Sequence, residues 1–316
     1  VVPEFEKRYG IRINYDTFAS NEALLTKLQA GATKYDIVVP SNFILGQLTK
    51  LDLLQPIDHA RLANLNNLMP RFLSPSADSR LTHSVPYMWG TTGVAYNLDA
   101  VEKILGSRSN CLKRLEEQGW GVFWDKRFAG RMTLLDDERE TIGMSVKRLG
   151  GSYNSRDLEQ IKRGKDELLL QKPLTMCYTS DQVIVQLASG DSWLALGYSG
   201  DVYQAARSNK AVRYFIPATG TSIWVDSFAI PKYAPHPDAA YLWIDFILEP
   251  RVSAKNAEFT RYATPNKLGF AALDETVKSD KNLYPPEETI DRCEQILSVE
   301  ELAFYYDRMW TELKCA

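Results

Sequence analysis

The sequence predicts an α/β fold divided between two lobes, on three observations. Helix and strand signals alternate through the first fifty-odd residues, the order expected of a mostly parallel sheet with covering helices. Two extended, aromatic segments, Ser84–Asn97 and Trp224–Ile230, lie far apart in the chain and have the character of paired hinge strands. The chain also has 316 residues, of which 45% are hydrophobic and 24% charged, enough for two globular units.

The elements follow in order. Pro3 to Tyr9 predicts a helix stopped by Gly10, with Pro near its start and Gly past its end. Ile11 to Phe18 alternates and is rich in β-formers, so it predicts a strand. Ser20 caps a helix that runs through Gln29 and ends at Gly31. Tyr35-Asp36-Ile37-Val38-Val39 is short and almost wholly apolar, as a strand covered on both faces should be. A helical period resumes from Phe43 to Leu54, and the stretch from Arg71 to His83 has the Pro and Ser content of an irregular loop. Further on, helices are expected at Asp99–Leu105, Cys111–Gln118, Asp157–Gln171 and Asp181–Ala188. Strands are expected at Gly130–Leu135, Trp193–Gly197 and Val212–Ile216.

Composition excludes several function classes. The 37 basic and 40 acidic residues leave a net charge of −3, so no general nucleic-acid-binding surface is signalled. No apolar run reaches the ~18–20 residues of a membrane span. The four cysteines, Cys111, Cys177, Cys293 and Cys315, show no CxxC spacing and stand apart from His59, His83 and His236, so neither a structural zinc site nor any other cofactor is expected. Their pairing is left open, since four cysteines permit three full connectivities. The abrupt Val1-Val2-Pro3 opening suggests that residues were removed ahead of it. Enzyme signatures are absent: there is no G-x-S-x-G, no P-loop, no G-x-G-x-x-G and no H-E-x-x-H. The expectation is a protein that is not an enzyme.

Two local features carry chemistry. In Asp136-Asp137-Glu138-Arg139-Glu140, four carboxylates and one arginine stand where a strand gives way to a helix. The carboxyl end of a strand is where open α/β sheets bind ligands. Asp137-x-x-Glu140 also has capping-box spacing, and a helix start attracts acids through its dipole, so a purely capping role competes with the ligand role. In Trp224-Val225-Asp226, strand alternation puts the ring and the carboxylate on one face. That pair suits an ammonium ion, through cation–π attraction of roughly 0.5–2 kcal/mol and acceptance of its protons. The competing reading is a core Trp beside a turn Asp.

Several segments also match a known family in order: Ser20-Asn21-Glu22, Tyr35 to Ser41, Val85 to Gly90, Asp136 to Glu140, Trp224 to Pro231, and Tyr262 to Asn266. Together they resemble the bacterial spermidine/putrescine-binding periplasmic proteins, the solute receptors of polyamine ABC importers. The resemblance implies the two-lobed (type II) periplasmic-binding-protein fold, each lobe a mostly parallel sheet, with crossing strands between lobes and a polyamine clamped in the cleft. One lobe would comprise residues 1–96 and 227–267, the other 97–226 and 268–316, which holds all four cysteines. It also implies a site. Asp137 and Glu140 match acids at one end of the polyamine, and Asp226 matches an acid near the central or opposite amine. Trp224 and Tyr262 match rings that pack on the methylene chain, and Ser41 matches a cleft serine. Phe43 stands where a relative has Tyr, Tyr198 where a relative has Trp, and Gln295 aligns with a C-terminal glutamine across a local gap. The family's first strand, which carries a cleft Trp and Tyr, would lie before Val1.

The chemistry agrees with that implication. Primary amines titrate near 10.4, so polyamines are polycations at neutral pH, and a buried ammonium needs a carboxylate partner. Lobe closure around the ligand and weakening of affinity towards carboxylate pKa values near ~4 are expected. The resemblance further implies a monomer in the periplasm, or lipid-anchored outside the cytoplasmic membrane, that delivers spermidine or putrescine to a membrane permease. Rival readings are a same-fold receptor for ferric ion or an amino-acid-like compound, and a carboxylate-dependent hydrolase.

Overall fold

The computed structural model describes residues 1–18, 20–31, 34–73, 78 and 80–316. The chain divides into two compact units, one of residues 1–89 with 224–279, the other of residues 90–223 with 280–316. It leaves the first unit within strand β1 (Val85–Asn97) and returns within β6 (Ser222–Phe228), so both aromatic segments are strands.

The first unit opens with a helix, Val2–Tyr9, ended by Gly10 at a φ of 69°, a left-handed turn that glycine adopts without strain. Phe5 of this helix is fully buried, with ring centroids 5.0 Å from Trp243 and 5.3 Å from Phe246 on the helix Pro237–Ile247. Helix Asn21–Gln29 starts where expected, with the Ser20 hydroxyl accepting from Ala23 N. Leu24, Val38, Leu45, Leu48 and Ala229 form a second apolar cluster.

Three expectations for this unit need correction. Ile11–Phe18 is not a strand, because no neighbouring strand pairs with it among the described residues. Tyr35–Val39 is reduced to a single antiparallel bridge, Val38 to Ala229. The helix after Ser41 spans Asn42–Lys50 and does not reach Leu54; Asp52, at a φ of 55°, is incompatible with another helical turn. Of the expected loop from Arg71 to His83, residues 74–77 and 79 lie outside the described residues.

The second unit is built on a mixed sheet. Strand β2 (Met132–Leu134) lies parallel to both β3 (Thr175–Tyr178) and β4 (Leu194–Tyr198). The second half of β1 runs antiparallel to β4, with Thr92 opposite Tyr198, and antiparallel to β5 (Val212–Phe215). The start of β6 runs parallel to β7 (Glu294–Gln295). Helices Glu138–Arg148 and Leu158–Gln171 pack together; Gly143 makes room for the Tyr153 ring, which a Cβ there would overlap. Strand β3 and the helices Ser199–Ser208, Pro250–Thr260 and Ala303–Cys315 have no counterpart among the sequence-based assignments. The four cysteines are free thiols. Among the described residues, no helix is long and apolar enough to cross a membrane, and no group of His, Cys, Asp and Glu could hold a metal ion.

Candidate functional site

In the first unit the candidate residues gather at the point where β6 meets the start of helix Asn42–Lys50. Ser41 and Asp226 form an antiparallel bridge, and the Ser41 hydroxyl donates to Asp226 Oδ1 at 2.7 Å. Asn21 fixes Ser41 from behind: its Oδ1 accepts from Ser41 N at 2.9 Å, and its Nδ2 donates to Ser41 Oγ at 3.3 Å. Asn42, fully within the interior, accepts from Val225 N at 3.1 Å and so pins the strand residue next to Asp226. Two residues back along the strand, Trp224 meets Tyr262 edge to face, with centroids 5.1 Å apart and planes at 78°. A half-buried carboxylate held by a hydroxyl and flanked by rings is what an ammonium group with an alkyl chain requires. Phe43, partly buried, packs against the cluster that contains Leu24, Val38 and Ile44.

The acidic cluster of the second unit divides its charges among several tasks. Asp136 is taken by the C-terminal helix, accepting from Lys314 Nζ at 2.8 Å and from Trp310 Nε1 at 3.2 Å. Asp137 caps helix Glu138–Arg148, with Oδ1 accepting from Glu140 N at 3.0 Å, so the capping role is real. Its Oδ2 accepts from the Tyr198 hydroxyl at 3.3 Å, which brings the residue at the end of β4 to the same carboxylate. Arg139 turns inward. It donates to the carbonyls of Leu297 at 3.1 Å and Tyr153 at 3.2 Å, and lies 4.9 Å from the centre of the Tyr306 ring. Arg139→Met is therefore expected to cost about 3 kcal/mol in urea unfolding, because buried carbonyls lose charged donors. An unchanged unfolding midpoint would count against that assignment.

Glu140 is almost wholly buried, at 3% exposure. Its Oε1 accepts from the Thr92 hydroxyl at 2.9 Å and its Oε2 from the Ser222 hydroxyl at 2.6 Å. Burial, reinforced by the like charge of Asp137, pushes its pKa up to about 8, against the opposing pull of the two hydroxyls and Arg139. Gln295, on β7 opposite Ile223, lies beside Glu294, whose carboxylate accepts from Lys147 Nζ at 2.6 Å. Strand alternation therefore turns the Gln295 side chain to the other face of β7.

The candidate residues thus fall into two groupings, each internal to its own unit: Ser41, Asp226, Trp224 and Tyr262 in one, Asp137, Glu140 and Tyr198 in the other. Sequence reasoning missed Thr92, Ser222, Asn21 and Asn42. Ser222 was within reach, since it stands one strand alternation before Trp224 and two before Asp226. Asn21 and Asn42 follow serines that were already singled out, but only the fold shows which main-chain groups they hold.

Comparison with known proteins places this geometry in context. The profile of the family described as bacterial extracellular solute-binding protein matches residues 1–285. The chain is 31% identical over 318 aligned residues to the spermidine/putrescine-binding periplasmic protein of Salmonella typhimurium, covering 99% of this chain and 87% of that protein. It is 33% identical to a putrescine-binding periplasmic protein of Escherichia coli, covering 90% of this chain and 79% of that one. Among solved structures, the spermidine/putrescine ABC transporter substrate-binding protein of Streptococcus pneumoniae superposes with a TM-score of 0.83 at 30% identity, covering 99% of this chain and 94% of that one. The α/β periplasmic-binding-protein fold class expected from the sequence agrees with these neighbours.

Proposed function

Because the chain belongs to the bacterial extracellular solute-binding protein family, we propose that it is a receptor for a polyamine, spermidine or putrescine, which it delivers to the membrane permease of an ABC importer. The observation that carries this reading is the Asp226 carboxylate, held by Ser41 beside the Trp224–Tyr262 pair. A polyamine alternates ammonium groups with methylene spacers, and this grouping offers an acceptor for the first and rings for the second. Asp137, with Tyr198 on its second oxygen and Glu140 in the following turn, supplies acceptors for another ammonium. The relatives named above are described as binding or substrate-binding proteins, which supports a receptor without a catalytic step. A periplasmic or envelope-tethered monomer fits that role.

A thermal-shift panel tests the reading. A ligand that binds only the folded state stabilises it by mass action, so saturating spermidine or putrescine should raise Tm by roughly 5 °C or more. Sugars, ferric ion and amino acids should leave Tm unchanged. A comparable rise with ferric ion or an amino acid, or none with either polyamine, would overturn the proposal.

A further inference from the structure

Asp136 and Asp137 follow strand β2 on consecutive residues and turn to opposite flanks of it. On the β4 flank, Asp137 Oδ2 accepts from the hydroxyl of Tyr198, the last residue of β4. On the β3 flank, Asp136 accepts from Trp310 Nε1 of helix Ala303–Cys315. The Trp310 ring in turn meets that of Tyr178, the last residue of β3, edge to face with centroids 5.5 Å apart. Strand β2 lies parallel to both β3 and β4, with Leu134 in register with Tyr178. Each acid is therefore associated with the tyrosine that ends one neighbouring strand, Asp137 directly and Asp136 through an indole.

The Asp136 side already holds an alkylammonium. Lys314 Nζ donates to Oδ1 at 2.8 Å and to Oδ2 at 2.9 Å, and lies 5.8 Å from the centre of the Trp310 ring, within cation–π range. A lysine side chain is a methylene chain ended by an ammonium, so it presents to this carboxylate what the end of a polyamine would present. The pair is open to exchange. The Lys314 side chain is 42% exposed and that of Asp136 39%, and ion pairs at such exposure are weak and screened by salt. Lysine in the last turn of a helix also answers the helix dipole, so a purely structural role competes.

We propose that Lys314 is a specificity-determining residue, a built-in ammonium that occupies the acceptor next to Asp137 and so biases the receptor towards diamines over longer polyamines. The inference rests on the polyamine reading above and narrows its ligand class. Putrescine, whose two ammonium groups are matched by Asp226 and Asp137, has none left for Asp136. Spermidine has one more and spermine two more. Once Asp137 holds an ammonium, the next one along a longer ligand is tethered near Asp136, since consecutive Cα atoms are about 3.8 Å apart. To dock there it must displace Lys314. One ammonium is then exchanged for another on the same carboxylate, so the extra charge adds no affinity while the longer chain still loses freedom. Without Lys314, the same carboxylate becomes a gain that only the longer amines can collect.

The test is calorimetric titration of putrescine, spermidine and spermine at one pH and ionic strength. The proteins are the unaltered chain, Lys314→Gln, Arg308→Gln, and the double variant Asp136→Asn with Lys314→Gln. Lys314→Gln should bind spermidine and spermine roughly fivefold more tightly, with putrescine within about twofold of its original affinity. Arg308, on the same helix, pairs with Glu312. Its replacement removes a positive charge without opening Asp136, so all three affinities should stay within about twofold. Adding Asp136→Asn to Lys314→Gln should abolish the gain. A spermine-to-putrescine affinity ratio unmoved by Lys314→Gln, or moved equally by Arg308→Gln, would overturn the proposal and leave the receptor reading standing. Failure of the unaltered protein to bind any of the three amines would overturn both.

Discussion

Replacing Asp226 by Asn is expected to weaken polyamine binding by about 3 kcal/mol, on the order of 100-fold in Kd, with little change in the unfolding of the ligand-free protein. The two halves of that statement rest on different atoms. Ser41 Oγ donates to Asp226 Oδ1, and an Asn carbonyl oxygen accepts the same hydrogen bond, so the bridge between Ser41 and residue 226 survives. Only the charge disappears, and with it the partner for an ammonium group taken out of water. The result should be a loss carried mainly by faster dissociation, measured by calorimetry together with stopped-flow release. Asp137→Asn makes the companion variant, because Asn caps a helix about as well as Asp and helix Glu138–Arg148 should keep its start. If Asp226→Asn binds spermidine and putrescine with the original affinity, Asp226 is a strand residue paired to Ser41 and nothing more.

Much of this arrangement is legible in the sequence because short-range rules set it. Strand alternation puts Trp224 and Asp226 on one face without any knowledge of the fold, and the S/T/D-x-x-E spacing marks Asp137 as a cap. What local rules cannot supply is the partner from elsewhere in the chain. The four carboxylates of residues 136–140 read as one block of negative charge, yet Asp136 is spoken for by Lys314 and Glu140 by Thr92 and Ser222. Arg139, counted in sequence as a local counter-charge, spends its guanidinium on carbonyls of Tyr153 and Leu297. The same limit applies to Ile11–Phe18. Its composition is right for a strand, but a strand exists only where a neighbour completes the ladder, and among the described residues no backbone–backbone hydrogen bond reaches residues 11–18. Phe43, in turn, is placed by packing: one helical turn turns its ring into the apolar cluster that contains Leu24 and Ile44.

Glu140 moves the pH dependence of binding well above the carboxylate range that its residue type implies. An unfolded chain ionises this group near 4.5, whereas the folded protein holds the proton up to about 8. Between those values the folded state binds the extra proton, so its contribution to stability is complete below about 4.5 and is lost as pH rises through 8. A bound polyamine reverses the balance. The principal charged neighbour opposing ionisation is Asp137, and an ammonium docked on Asp137 replaces that repulsion with attraction; Arg139 already pulls in the same direction, while the Thr92 and Ser222 hydroxyls can donate to the carboxylate. Binding near neutral pH should therefore expel a proton, and affinity should climb between about 4.5 and 8 rather than level off just above 4.5. Calorimetric titration at one pH in phosphate and in Tris reads the released proton directly, as a binding heat that differs between buffers by a fraction of their ionisation enthalpies. Glu140→Gln keeps the shape and the acceptor for one hydroxyl but has no proton to lose, so the buffer dependence should vanish and the slope of affinity against pH should flatten. Binding heats that are identical in both buffers for the unaltered protein would mean that Glu140 does not change its charge when the ligand arrives.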